Sequence, residues 1–164
     1  MFRLVERPVS VAISALVDGD KILLINRERG DYTGLWGLPG GKIEGDEHIH
    51  QAAEREIQEE TGIDADFEEH LAIVSEHLKE DGEILKHLIL HICELEPLHT
   101  DFSTTEEGDL KWFDLEEIES QRENLIPSDY FFIERFVKGD EDGCFKCGIL
   151  KDGSEHTLEK FEKV

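Results

Sequence analysis

The stretch "GGKIEGDEHIHQAAEREIQEETGI" (40–63) carries seven acidic side chains, three of which, Glu56, Glu59 and Glu60, fall within one turn of a prospective helix. Like charges one turn apart repel, so a solvated acidic face is the first explanation to test. Each helical residue turns about 100°, which sets Ile49, Ala52, Ala53 and Ile57 on one stripe and Glu56 and Glu60 within about 20° of its centre. Glu59 lies at the margin of that stripe, while His50, Gln51, Glu54 and Gln58 lie around the back. The carboxylates therefore interrupt the buried face. Unpaired carboxylates there must protonate or find cations, and Arg55 alone cannot neutralise three. A hard divalent cation with oxygen ligands can, and Mg²⁺ takes a few carboxylates together with substrate phosphates. Gly40 and Gly41 just before the helix allow the backbone to approach such a site and to turn a carbonyl toward it.

The elements that must position this chemistry can be read around it. "PVSVAISALV" (8–17) and "KILLINR" (21–27) are β-branched apolar runs joined by Asp18-Gly19-Asp20, a hairpin signal. "GDYTGLWGLPGGKIEGDE" (30–47) reads as a glycine-rich loop, followed by a helix capped at Asp46 and stopped at Gly62. "FEEHLAIVSEHL" (67–78) and "EILKHLILHICEL" (83–95) pair about Glu80-Asp81-Gly82, and "LKWFDL" (110–115) is a short strand. "PSDYFFIERFVK" (127–138) is a helix with proline in its first turn, and 144–164 is a hairpin turning at Lys151-Asp152-Gly153. Strands outnumber helices, so the class is α/β with a mixed sheet.

The chain of 164 residues suits one domain, here expected as 1–138 with 139–164 as a hairpin extension of it. Forty acidic against 17 basic residues give a formal charge of −23, which argues against nucleic acid or an anionic membrane as partner. The sequence contains no apolar run long enough to span a membrane and no signal-peptide pattern, and its three cysteines form no disulfide framework. A reducing cytoplasm is the expected location. The pair Cys144-x-x-Cys147 lacks the further ligands of a zinc site, and residues three apart in a strand point to opposite faces.

Residues 41–63 match the Nudix box, G-x5-E-x7-R-E-U-x-E-E-x-G-U with U aliphatic, at Gly41, Glu47, Arg55, Glu56, Ile57, Glu59, Glu60, Gly62 and Ile63. "LWGLPGG" (35–41) and "EEGDLKWF" (106–113) also resemble the family, and the likeness runs over roughly 8–135. The resemblance implies an α/β/α sandwich that hydrolyses nucleoside diphosphate-linked compounds with Mg²⁺, for which Mn²⁺ can substitute. It further implies Glu56, Glu59, Glu60 and the Gly40 carbonyl as metal ligands, Glu47 supporting them from behind, and Arg55 holding a ligand glutamate. Either Glu56 or the loop residue Glu106 would then be the general base.

Substrate choice is expected from outside the box. Residues 64–96 contain neither the proline that tends to mark ADP-ribose enzymes nor the tyrosine of diadenosine-polyphosphate enzymes, and the upstream coenzyme A signature is met only in part. What remains resembles the MutT-like branch acting on (deoxy)nucleoside triphosphates, oxidised ones included. In this reading Asn124 of "ENLIP" contacts the base, and Arg27, Arg29 and Lys42 meet phosphates. ADP-ribose or nucleotide-sugar hydrolysis is the alternative, and a non-catalytic nucleotide sensor the alternative of another class. The C-terminal hairpin is a candidate homodimer interface.

Overall fold

The computed structural model describes residues 7–103 and 105–164; residues 1–6, which open the expected domain, lie outside it. The two N-terminal apolar runs form β1 (Val9–Asp18) and β2 (Lys21–Asn26), and the glycine-rich loop contributes two very short strands, β3 (Trp36–Gly37) and β4 (Gly40–Lys42). After helix α1 (Ile49–Thr61) come the long hairpin β5 (Ala65–Glu80) and β6 (Glu83–Pro97), then β7 (Leu110–Asp114). Helix α2 (Pro127–Phe131) and the terminal hairpin β8 (Gly143–Asp152) and β9 (Glu155–Lys163) complete the chain.

The strands form one sheet in the order β3-β2-β1-β6-β5-β8-β9, with β4 on β1 and β7 on β2. β1 runs parallel to β6 and β5 parallel to β8, while the other pairs are antiparallel. The pleat sends alternate residues to opposite faces, so β1 and β2 feed two cores. Ala12, Leu16, Leu23 and Ile25 pack against Ala52, Ala53 and Ile57 of α1. Ile13, Ala15, Ile22 and Leu24 share the other core with Phe132, Phe136 and Phe145. With a helix on each face the fold is a mixed α/β sandwich.

Two expected boundaries are corrected. The first helix starts after His48, not after Asp46, with the His48 N–H donating to the Gln51 side chain at 2.8 Å. Residues 44–47 close instead as a turn, the Glu47 N–H donating to the Glu44 carbonyl, because Glu47 is drawn to Arg55. The helix expected over 127–138 keeps α geometry only to Phe131 and then widens to a π-helical turn, Phe132–Val137. The wider turn brings Phe132, Ile133 and Phe136 all into the core. The end of α1 is as expected, with Gly62 at φ 74, a left-handed cap where glycine carries no penalty.

Candidate active site

Helix α1 presents Ala52, Ala53, Ile57, Glu60 and Thr61 as its buried residues, so Glu60 does lie on the apolar stripe. The side chains of Glu56 and Glu59 are 14% and 56% exposed, which follows their positions at the centre and margin of that stripe. Arg55 organises the outer part of the cluster. It donates from Nε and Nη2 to Glu47 (2.9 and 2.6 Å) and from Nη1 to Glu56 (2.8 Å) and Glu59 (3.1 Å). A further bond from Nη2 to the Lys42 carbonyl at 3.1 Å fixes the guanidinium to β4. These charge-assisted bonds hold the Glu47 carboxyl down at about 2, with the Arg55 fork the main cause and the Glu44 N–H the next.

Glu60 sits in the opposite regime. Burial is the main cause that pushes its carboxyl up to about 9, and the hydrogen bond and charge of Glu107 and the charge of Glu56 add to it. The Gly40 N–H donates to Glu60 Oε2 at 3.1 Å and opposes the rise. Burial and the neighbouring Glu59 and Glu107 charges likewise raise Glu56, against the pull of Arg55. A β-carbon on Gly41 would overlap the Glu56 carboxylate, so glycine is required for this close approach.

The loop before β7 closes the cluster. The Thr105 hydroxyl donates to the Glu60 carbonyl (3.2 Å) and accepts the Glu107 N–H (3.4 Å), and Thr105 bridges to Gly108. Gly108 has φ 147 and touches the Asn26 carbonyl where a β-carbon would stand. This tight turn aims Glu107 at Glu60, and the two line one cleft with Arg27, Leu38, Pro39 and Gly40. Arg27 brings an anion-seeking donor to the same cleft, since its Nε is buried with no hydrogen-bond partner among the described residues.

The sequence-predicted residues thus divide. Gly40, Glu56, Glu60 and Arg27 come together; Glu47 and Glu59 are held at the outer edge by Arg55. Glu106 and Glu107 are both exposed, but it is Glu107 that lines the cleft beside Glu60. Lys42 and Arg29 are exposed, and the Asn124 amide donates to Gln121 (3.1 Å) away from the residues lining the cleft. Besides Glu107, two buried carboxyls escaped the sequence reading. Asp129 in α2 accepts the Leu38 N–H at 2.8 Å, and Glu76 in β5 meets Ser128 and Cys147 behind it. Burial raises Glu76 to about 7 and Asp129 to about 6.

Both carboxyls carry a stability consequence. An acid whose folded pKa is raised binds more protons in the native than in the unfolded chain between its two pKa values. Stability therefore falls as pH rises from about 4, where the unfolded carboxyls ionise, to about 7, where the buried ones do. Glu76→Gln keeps the hydrogen bonding while removing the charge. It should flatten thermal stability between pH 4.5 and 7 and raise it at pH 8 by on the order of 1–3 kcal/mol. A melting curve that keeps its pH slope in this variant would refute the assignment.

Carboxylates gathered beside Arg27 in a mixed α/β sandwich form the candidate active site. Residues 6–136 match the NUDIX domain family. The CTP pyrophosphohydrolase of Escherichia coli is 35% identical over 127 residues, 76% of this chain and 89% of that protein. Human nucleoside diphosphate-linked moiety X motif 6 is 31% identical over 121 residues, 73% of this chain but 38% of that longer protein. The crystal structure of the MutT protein from Bacillus halodurans superposes with a TM-score of 0.77, at 24% identity, over 94% of this chain and 96% of that one. The chain belongs to the NUDIX family, in its MutT-like branch, and is a pyrophosphohydrolase of nucleoside diphosphate-linked compounds.

Proposed function

We propose that the protein hydrolyses (deoxy)nucleoside triphosphates, oxidised ones included, with Mg²⁺ as its cation and Mn²⁺ able to replace it. One observation carries this reading: Glu60 and Glu107 line one cleft with Arg27, the Glu56 charge lies close by, and the buried Nε of Arg27 has no hydrogen-bond partner among the described residues. A cation and a phosphate bound side by side would satisfy both halves. Among the described residues no three acidic, histidine or cysteine side chains stand together as a set able to hold a metal ion by themselves. Mg²⁺ retains waters and takes up substrate phosphates, so fewer protein ligands suffice. The site residues fit the cation because Glu60 is buried beside the Glu56 and Glu107 charges, and among the described residues no ion pair is formed to Glu60.

In this reading Glu56, Glu60 and the Gly40 carbonyl hold the metal, with Glu59 completing the set from the rim and Glu47 anchoring Arg55 behind them. When bound, the cation supplies charge neutralisation on the pyrophosphate and acidifies the attacking water. Arg27 orients a phosphate, with Arg29 and Lys42 reaching the outer ones from the surface. Glu107, not Glu106, accepts the proton of the attacking water, since it alone of the two lines the cleft; Glu56, tied to Arg55, is the poorer base. The triphosphate preference draws on the E. coli relative, itself a CTP pyrophosphohydrolase.

The C-terminal hairpin is read as part of the same domain, and a reducing cytoplasm suits the three free cysteines. No helix among the described residues is long and apolar enough to cross a membrane. A panel of nucleoside triphosphates, oxidised triphosphates, ADP-ribose and nucleotide sugars, assayed with Mg²⁺ for pyrophosphate and phosphate release, tests the substrate. Pyrophosphate release from triphosphates should exceed turnover of ADP-ribose by at least tenfold in kcat/KM; the reverse order overturns the triphosphate reading. Divalent metal should also raise the melting temperature more than NaCl of equal ionic strength, because it binds the native site alone.

A further inference from the structure

The terminal hairpin lies beyond the part of the chain that matches the family, yet it grips the loop between β2 and β3 that follows Arg27. Asp31 in that loop accepts from Lys151 of β8 at 3.1 Å and from Lys86 of β6 at 2.7 Å. The side chain of Asp31 is 17% exposed, and the two lysines hold its carboxyl below its ordinary value against the effect of burial. The adjacent Tyr32 lies with its ring 4.4 Å from that of His156 in β9. His156 also stands 4.0 Å from Asp31, and its side chain is 4% exposed.

Tyr32 has φ 66, a left-handed backbone that a bulky side chain keeps only when its surroundings hold it. Those surroundings are the hairpin, through His156, together with the core against which Tyr32 packs. The hairpin is itself firmly seated: β8 pairs with β5 along eight residues, Lys79 bonds Glu159, and Phe161 stacks on Phe131 and Phe145. The other end of the linkage reaches the cleft through backbone bonds. The Arg27 N–H donates to the Leu35 carbonyl (3.0 Å) and the Gly34 N–H to the Arg27 carbonyl (2.8 Å), so a shift of the loop moves Arg27.

We propose that Lys151 and His156 are positioning residues for substrate: through Asp31 and Tyr32 they fix the 27–36 loop and so aim Arg27 at the phosphate. The proposal rests on the phosphate-binding role given to Arg27 above. A loop that closes with a left-handed tyrosine has other conformations open to it, and the hairpin removes them before substrate arrives. The cost of ordering the loop is thereby met in folding rather than in binding.

The test uses the full-length chain with Lys151→Met and His156→Ala, singly and together, and Lys151→Arg as the conservative variant. Amide hydrogen exchange gives a readout independent of turnover. Residues 28–34 should exchange faster in the double variant, while the α1 amides keep their protection. KM for the best triphosphate should rise about fivefold per site with kcat within a factor of two, as for the loss of one partly buried contact. Lys151→Arg should restore both. Unchanged exchange in the loop overturns the proposal, as does faster exchange with unchanged KM. Faster exchange with kcat falling and KM constant also overturns it, because the hairpin would then serve chemistry and not substrate capture. If the reading of Arg27 itself is wrong, Arg27→Ala will leave KM unchanged, which separates that failure from failure of the clamp.

Discussion

Glu60→Gln should leave the fold intact and lower kcat by about 10³-fold at saturating Mg²⁺, the size expected when several kcal/mol of charge stabilisation is lost. The expectation follows from where the side chain stands. Glu60 is buried on the apolar stripe of α1, accepts the Gly40 N–H, and faces the Glu107 carboxylate. Folding places a carboxyl there although its environment resists ionisation, and a helix designed for stability alone would carry an apolar residue at that position. Glutamine retains the size and the acceptor for Gly40, so the metal-free variant should melt at or above the wild-type temperature at neutral pH. Activity and stability then move in opposite directions, which a merely unfolded variant could not imitate. Near-wild-type turnover would remove Glu60 from the metal site.

The same geometric rule explains what the sequence disclosed and what it concealed. Helical periodicity sets Glu60 and Glu56 on the apolar face; the structure buries Glu60 there and leaves Glu56 partly buried beside it, because thirteen residues with one apolar stripe leave little choice of rotation. The strands were equally plain: the β5–β6 hairpin turns about Asp81 and Gly82, both with positive φ. Glu76 obeys the rule as well. It shares the pleat of Ala72, Val74 and Leu78 in β5, all buried, so strand alternation marks it as an acid on an inward face. Asp129 carries a weaker signal, since an acidic residue in the first turn of a helix is ordinarily explained by the helix dipole. Its contact with Leu38 joins positions 91 residues apart, and no local pattern anticipates it. The start of α1 was misplaced by two residues for a related reason. Asp46 is a good cap in isolation, but the Arg55–Glu47 pair draws the preceding turn away from helical geometry.

The choice between two neighbouring glutamates in the loop before β7 is the finest distinction the structure makes. The resemblance to the family offers Glu106 beside Glu56 as a candidate base, and adjacent residues in an irregular loop cannot be told apart without its backbone. The Thr105–Gly108 bridge supplies that backbone: it folds a tight turn that sets Glu107 beside Glu60 in the cleft, while Glu106 is not among the residues lining it. Gly108 enables the turn by packing against the Asn26 carbonyl with no side chain between. Glu107→Gln should therefore lower kcat about 10²–10⁴-fold, the usual contribution of a positioned general base. KM for substrate should change little, since the proposed function gives the phosphate to Arg27 and not to Glu107. Glu106→Gln in the same loop, with the same change of charge, should keep kcat within a factor of two. The pH–rate profile adds a second criterion, because loss of the base removes the acidic limb of kcat while loss of a structural contact lowers the whole curve. Equal and small effects at both positions would return the base role to Glu56. A large effect at Glu106 alone would mean that the turn rearranges when substrate binds, bringing Glu106 to the cleft.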